Sequence, residues 1–225
     1  MASLAPPRPP DEAAELLARL AASAPGVAAL AARGEVRRYR KGMLLIQEGD
    51  QGDTLYIVLQ GRLRAFAEGD NGREITYGSY GEGEFIGEMS LDGGPRSASV
   101  ETLEATVCAV VTRATLERHL ADEPTFAFEL LSKVIRRARA ATVSAKQLAL
   151  NDVYGRLKLL LEGSAVPQPD GSLWIVERLT HQEMAHYLGC SREMVSRLMK
   201  DLQDGDHVTV EGKGLRLKSR LPMRW

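Results

Sequence analysis

The chain has 225 residues, 44% hydrophobic and 26% charged, with a formal net charge of −1. These are the proportions of an ordinary soluble globular protein, and they exclude both global disorder and a polycation held to nucleic acid by bulk charge. Two cysteines, Cys108 and Cys190, are too few for a disulfide framework, a four-thiolate zinc site or an iron–sulfur cluster.

At this length two modest domains fit better than one large one. No apolar run approaches the ~20 residues that cross a bilayer. The opening MASLAPPRPPDEAAELLARL places prolines and acids where a signal peptide needs a basic and then an apolar segment, so the expected location is a reducing cytoplasm. Residues 1–10, rich in Pro and Ala, are expected to lack order, and 11–33 read as one or two Ala/Leu helices broken near Pro25-Gly26. From 35 to 111 the texture changes to short β-type runs, TLYIVLQ, RLRAFAE, REITYGSY, SASVETL and ATVCAVV, separated by glycine turns. Such a pitch predicts a compact barrel or jelly-roll, with the DNG at 70–72 as a hairpin turn.

The stretch 124–150 has strong helical propensity, and Leu131, Val134, Ala138, Ala141, Ala145 and Leu148 alternate spacings of three and four, the seam of a coiled coil. This seam could pack on the barrel of its own chain or on a second copy; its length and small alanines favour the second copy. Asn151-Asp152 then reads as a hinge, with Asp152 capping the helix VYGRLKLLLE, followed by the loop GSAVPQPDG.

Thr180-His181-Gln182-Glu183 is a capping box that starts a short helix; Gly189-Cys190 is a turn, and Ser191 caps the next helix. On that second helix Met194, Val195, Leu198, Met199 and Leu202 fall on one side, and Arg192, Glu193, Ser196, Arg197 and Lys200 on the other. Two helices joined in this way form a helix-turn-helix. An exposed face with arginine in its first turn and again one turn later suits the major groove, where arginine pairs with guanine and glutamate accepts from cytosine N4. The alternative is a merely solvated face, with Glu193 and Arg197 an i,i+4 ion pair. HVTVEGKGLRLK reads as a hairpin in which Lys213, Arg216 and Lys218, with Arg220 and Arg224 beyond, face only Glu211, a wing suited to phosphates. Residues 151–225 carry 11 basic and 10 acidic groups, so charge for DNA has to be focused rather than bulk.

GEFIGEMSLDGGPRSASV, residues 83–100, is the second constellation. A cyclic nucleotide offers a ribose hydroxyl and one singly charged phosphate. Gly87, Glu88, Arg96, Ser97 and Ala98 supply a carboxylate acceptor, one guanidinium and backbone amides in a glycine-opened turn. The same stretch could instead be a loop in which Glu88 pairs with Arg96.

The run LTHQEMAHYLGCSREMVSRLMKDLQ resembles the winged helix-turn-helix of the family of the cAMP receptor protein and the fumarate–nitrate regulator, bacterial transcription factors, and the resemblance extends over roughly residues 35–222. It implies that Arg192, Glu193 and Arg197 read a TGTGA-like half-site and that Ser191 contacts phosphate, with Thr180, Ser196, Lys200 and Lys213 completing the interface. Met194 departs from a threonine common in the cAMP receptor branch. It also implies that residues 83–100 are a phosphate-binding cassette. There Glu88 holds the ribose hydroxyl and Arg96-Ser97 the phosphate, with Gly87, Met89 and Ala98 around them and Arg137 and Thr142 of the long helix near the base. Ala141 stands where the family has a base-touching threonine, and the Glu88-to-Arg96 interval is about one residue shorter than the commonest cassette.

The expected architecture is therefore α+β: an N-terminal extension (1–34), a β-roll or jelly-roll cyclic-nucleotide-binding domain (35–121), a dimerisation helix (122–150) and a winged helix-turn-helix (151–225). The expected activity is a homodimeric regulator of transcription that binds double-stranded DNA in response to a cyclic nucleotide, cAMP before cGMP, and meets RNA polymerase but no membrane. A regulator of the same build with another effector or none, and a regulatory subunit with a protein-interaction module, are the alternatives. No nucleophile–base set or Walker loop suggests an enzyme, and no metal, iron–sulfur cluster or haem is expected. His119, His181, His186 and His207 are scattered, and the 181/186 pair has poor metal spacing, so the four are expected to be structural or solvent-facing.

Overall fold

The computed structural model describes residues 10–69 and 74–223. Of residues 1–10, expected to lack order, 1–9 lie outside the described residues, as do the DNG turn and Arg224, while Pro10 begins a helix. Contacts divide the chain into two compact units, with a division in the long helix between Arg137 and Ala138.

In the first unit eight strands form a roll: β1 (Glu35–Tyr39), β2 (Leu44–Ile46), β3 (Thr54–Gln60), β4 (Leu63–Glu68), β5 (Glu74–Tyr80), β6 (Phe85–Ile86), β7 (Ser99–Thr102) and β8 (Thr106–Thr112). They make two four-stranded sheets, ordered β1-β8-β3-β6 and β2-β7-β4-β5. The run TLYIVLQ shows why β3 is apolar on both faces between its polar ends. Side chains alternate across a strand, so Leu55, Ile57 and Leu59 pack with Leu16, Leu20, Val27 and Leu30 of the preceding helices. Val58, on the other face, joins Ile46, Leu63, Ala65, Val100 and Cys108 inside the roll. Burial there pushes the Cys108 thiol up to about 12, which keeps it protonated and inert.

The covering helices are α1 (Pro10–Ser23) and α2 (Pro25–Ala31), broken at Ala24 with Pro25 starting the second, the position where proline costs least. Thr112 then caps α3 (Arg113–Asp122), accepting from the Thr115 amide. This helix was not expected as a separate element, because Leu116 and Leu120 alone give it a weak apolar stripe. After a short turn α4 (Phe126–Leu150) begins. Phe126 is buried and Leu130 partly so against the helical side of the core, whereas Leu131, Ala138, Ala141, Ala145 and Leu148 are exposed and Val134 half-buried. Among the described residues the seam is thus mostly exposed, Val134 excepted.

The second unit holds α5 (Val153–Ser164), β9 (Val166–Pro167), β10 (Leu173–Ile175), α6 (His181–Leu188), α7 (Arg192–Asp204), β11 (Val208–Glu211) and β12 (Gly214–Leu217). Asp152 caps α5 by accepting from the Gly155 amide. The strands form one sheet, β11-β12-β10-β9, and the core gathers Leu157, Met184, Leu188, Val195, Met199, Leu202, Leu215 and Leu217. Any side chain at Gly214 would lie 2.4 Å from the Trp174 ring, so glycine lets β12 lie against that indole. Among the described residues no helix is long and apolar enough to cross a membrane.

Candidate functional site

The cassette begins where β6, paired with β3, delivers Gly87 at φ 98°. A Cβ there would sit in strained backbone and 2.5 Å from the Thr54 carbonyl, so the position requires glycine. A 3₁₀ turn over Glu88–Ser90 follows. Arg96 returns beneath it, only 7% exposed. Its Nη1 donates to the Thr54 carbonyl (3.0 Å), the Gly87 carbonyl (3.0 Å) and Ser90 Oγ (2.8 Å), and its Nη2 to Thr54 Oγ1 (2.9 Å). The Arg96 guanidinium is therefore a clasp between β3 and the turn, and the simple Glu88–Arg96 pair considered from the sequence does not form. Gly52 matters to the edge that remains: a Cβ there would press on Nη2 at 2.6 Å and Nε at 2.7 Å. Nε and Nη2 form the edge with which arginine binds a phosphate side-on.

Glu88 is paired instead with Arg137 of α4, at 2.7 Å, both largely buried. Arg137 also donates to the Phe85 carbonyl and lies over the rings of Tyr80 (4.6 Å) and Phe85 (5.2 Å). One turn earlier, Lys133 donates to the Gly83 carbonyl at 2.6 Å. The first half of α4 is thus fastened to the segment that carries the cassette. Ser97 is exposed, with its hydroxyl 3.2 Å from the sulfur of Met89, itself 64% exposed, and Ala98 packs into the roll interior. Thr142 spends its hydroxyl on the Ala138 carbonyl at 3.0 Å. Gly87, Glu88, Met89, Arg96, Ser97 and Arg137 are therefore gathered around one turn, and the residues fit an anion with a hydroxyl beside it.

In the second unit the capping box at Thr180 is complete: its hydroxyl accepts from the Glu183 amide, and the Glu183 carboxylate accepts from the Thr180 amide. Gly189 turns the chain in the left-handed region at φ 63°, and Ser191 caps α7 by accepting from the Met194 amide. Val195, Met199 and Leu202 are buried, Met194 and Leu198 half-buried, and Arg192, Glu193, Arg197 and Lys200 exposed. The face separation expected from the sequence is realised. No ion pair joins Glu193 to Arg197 among the described residues; the Glu193 carboxyl is instead held below the usual range by backbone and Ser191 hydrogen bonds at the helix start.

The wing differs from expectation in its charge. Arg216 is bound to Glu211 (2.8 Å) and Asp170 (3.4 Å) and lies over the Trp174 ring, and Lys218 is bound to Asp206 (2.5 Å). Arg216 is thus countered by Glu211 across its own hairpin and by Asp170 from outside it, and Lys218 by Asp206 just before β11, so Glu211 is not the tail's sole counter-charge. Lys213, at the exposed hairpin tip, keeps its charge outward, with its carbonyl accepting from the Arg178 amide at 3.0 Å. Between the hairpin tip and α7 runs a cleft of about 810 Å³ lined by residues that include Arg178, Thr180, His181, Arg192 and Lys213. Sequence reasoning missed Arg178 and His181 as members of this surface; their signal was only proximity to the capping box. His119, by contrast, is structural as expected, 1% exposed and edge-on to Phe126. Among the described residues no cluster of His, Cys, Asp and Glu is arranged to hold a metal ion.

Comparison with known proteins agrees with both halves. Residues 36–123 match the cyclic nucleotide-binding domain, and residues 178–205 match the bacterial regulatory proteins of the crp family. The chain is 30% identical to the cAMP-activated global transcriptional regulator CRP of Salmonella typhimurium, over 79% of this chain and 87% of that one. It is 32% identical to the cAMP-activated global transcriptional regulator Vfr of Pseudomonas aeruginosa, over 79% and 86%. Among solved structures, CLP of Xanthomonas campestris, described as a c-di-GMP responsive global regulator, superposes with a TM-score of 0.74 at 30% identity, covering 87% of this chain and 99% of that one. The two units together define a cyclic-nucleotide-binding, DNA-binding regulator of transcription. The chain belongs to the Crp/Fnr family of bacterial transcription regulators.

Proposed function

We propose that this protein is a homodimer that binds cAMP in the β-roll and, in response, binds a palindromic TGTGA-like site in double-stranded DNA and engages RNA polymerase. The observation that carries the DNA half is α7: capped by Ser191, seated on the helix-turn-helix core, and turning Arg192, Glu193 and Arg197 to solvent together. Arginine and glutamate so placed match guanine and cytosine edges in the major groove. Ser191, Thr180, Lys200 and Lys213 supply backbone contacts that set the register. The effector half is supported by Arg96, Glu88 and Gly52 around one turn, and by the Glu88–Arg137 pair that ties this turn to α4. The mostly exposed seam of α4 is the surface offered to a second copy. Such a regulator acts inside the cytoplasm.

A second effector, c-di-GMP, is weighed beside cAMP on similarity alone. The 30% identical CLP is described as responsive to that ligand. Calorimetry with cAMP, cGMP and c-di-GMP separates the cases. Saturable cAMP binding in the micromolar range supports the first proposal, saturation by c-di-GMP alone supports the second, and no binding below about millimolar for any of the three contradicts both. For the DNA half, Arg192→Ala with Arg197→Ala is expected to lose affinity for the palindrome while keeping its weaker affinity for random duplex.

A further inference from the structure

His181 is the first residue of α6, and its ring reaches across to α7, with Nδ1 2.9 Å from Ser196 Oγ. The ring also lines the cleft between the wing tip and the start of α7. Around it, Arg178 comes from the segment before α6, Arg192 from α7 and Lys213 from the wing. Of the acids nearby, Glu183 is spent on the Thr180 amide at 2.7 Å, and Glu177 lines the cleft without bonding to the ring. Burial first, then Arg178 and Arg192, hold His181 below the usual histidine range. The free domain therefore presents a neutral imidazole in a field of cations, and an incoming anion is the missing partner.

We propose that His181 takes up a proton from solvent as the winged helix-turn-helix seats on DNA, the counter-charge being a backbone phosphate drawn into the cleft by Arg178, Arg192 and Lys213. This rests on the DNA-binding role proposed above and adds a titrating residue to it. The proton also changes what Ser196 can do. A neutral ring with Nδ1 bare accepts the Ser196 hydroxyl proton, whereas the imidazolium donates Nδ1–H to Oγ and releases that hydroxyl hydrogen toward the DNA. The second ring N–H becomes a charged donor for phosphate. The proton returns to solvent on dissociation.

By linkage, DNA affinity rises as pH falls through the range in which His181 is neutral alone and charged in the complex. The limit is about tenfold per pH unit per subunit. The test is a titration of the full chain with a labelled palindromic TGTGA-type duplex, at saturating cAMP and constant ionic strength, from pH 8 to pH 6. Wild type is expected to tighten severalfold per unit, and its calorimetric binding enthalpy to vary with the ionisation heat of the buffer. His181→Gln should flatten both. His181→Arg, carrying a fixed charge, should bind tightly and without pH dependence, which a purely structural role for the Ser196 contact would not allow. His186→Gln and His207→Gln should keep the wild-type slope. A flat wild-type profile, or a slope surviving in His181→Gln, overturns the proposal while leaving the DNA-binding role intact. Failure of the wild type to bind the duplex at any pH contradicts the DNA-binding role itself, and the proposal with it.

Discussion

Arg96 is the residue on which the cassette is built. Its guanidinium donates to two carbonyls and two hydroxyls from β3 and around the 3₁₀ turn, so removing it strips a charged donor from one buried and several half-buried acceptors. Arg96→Ala is expected to destabilise the roll by roughly 2–4 kcal/mol and to abolish nucleotide binding. Gly52→Ala should spare most of the stability but weaken nucleotide binding at least tenfold, because the added methyl presses on the Nε–Nη2 edge. Denaturant melts and calorimetry on both variants check the split. His119 gives a second expectation. Neither ring nitrogen has a hydrogen bond among the described residues, and burial, reinforced by Arg33 and opposed by Glu123 and Asp122, lowers its pKa. The unfolded chain binds a proton at the ordinary value of about 6.5 while the fold resists it. Its contribution to stability is therefore complete above that pH and declines as pH falls below it. The urea midpoint of the roll should drop on acidification from pH 7.5 to pH 5.5, and less so in His119→Leu.

On the proposed reading α4 is the element through which the effector site would act on the winged domain. Its first turns carry Lys133 and Arg137 onto the segment around Gly83, Phe85 and Glu88, and its apolar seam runs on beyond them. On the proposed reading a nucleotide hydroxyl at Glu88 would compete with Arg137, and the ion pair is where occupancy would reach the helix. Arg137→Ala should therefore retain nucleotide binding within a few-fold yet lose the roughly tenfold or larger effect of nucleotide on DNA affinity. Loss of nucleotide binding itself by that variant would make Arg137 part of the pocket rather than the coupling. Elements were also the scale at which the sequence was most legible. The strands β3, β4 and β8, the capping box and the faces of α7 are written in local patterns, namely apolar runs, a Thr-to-Glu interval and a 3.6-residue period. What local pattern could not show is long-range choice of partner. Arg96 takes Thr54, 42 residues away, in place of its near neighbour Glu88, and Arg216 is neutralised in part by Asp170, 46 residues away. The helix α3 was missed because most of its surface faces solvent, leaving few apolar positions to mark it.

At the scale of the whole molecule the chain is near neutral, and on the proposed reading its DNA-facing charge is local to the start of α7, the segment around Arg178 and the hairpin tip, with the roll as the place of regulation. Two copies joined through the α4 seam would present two α7 helices to successive major grooves, as a palindromic site requires. The energetic requirement is that the effector bind the DNA-competent arrangement more tightly than the idle one; equal affinity for both shifts nothing. The most direct measurement is the dissociation constant for a TGTGA-type palindromic duplex at fixed salt, with no nucleotide and with saturating cAMP, cGMP or c-di-GMP. cAMP is expected to tighten binding about tenfold or more. An affinity that none of the three nucleotides moves by more than about twofold would contradict the coupling between roll and winged domain.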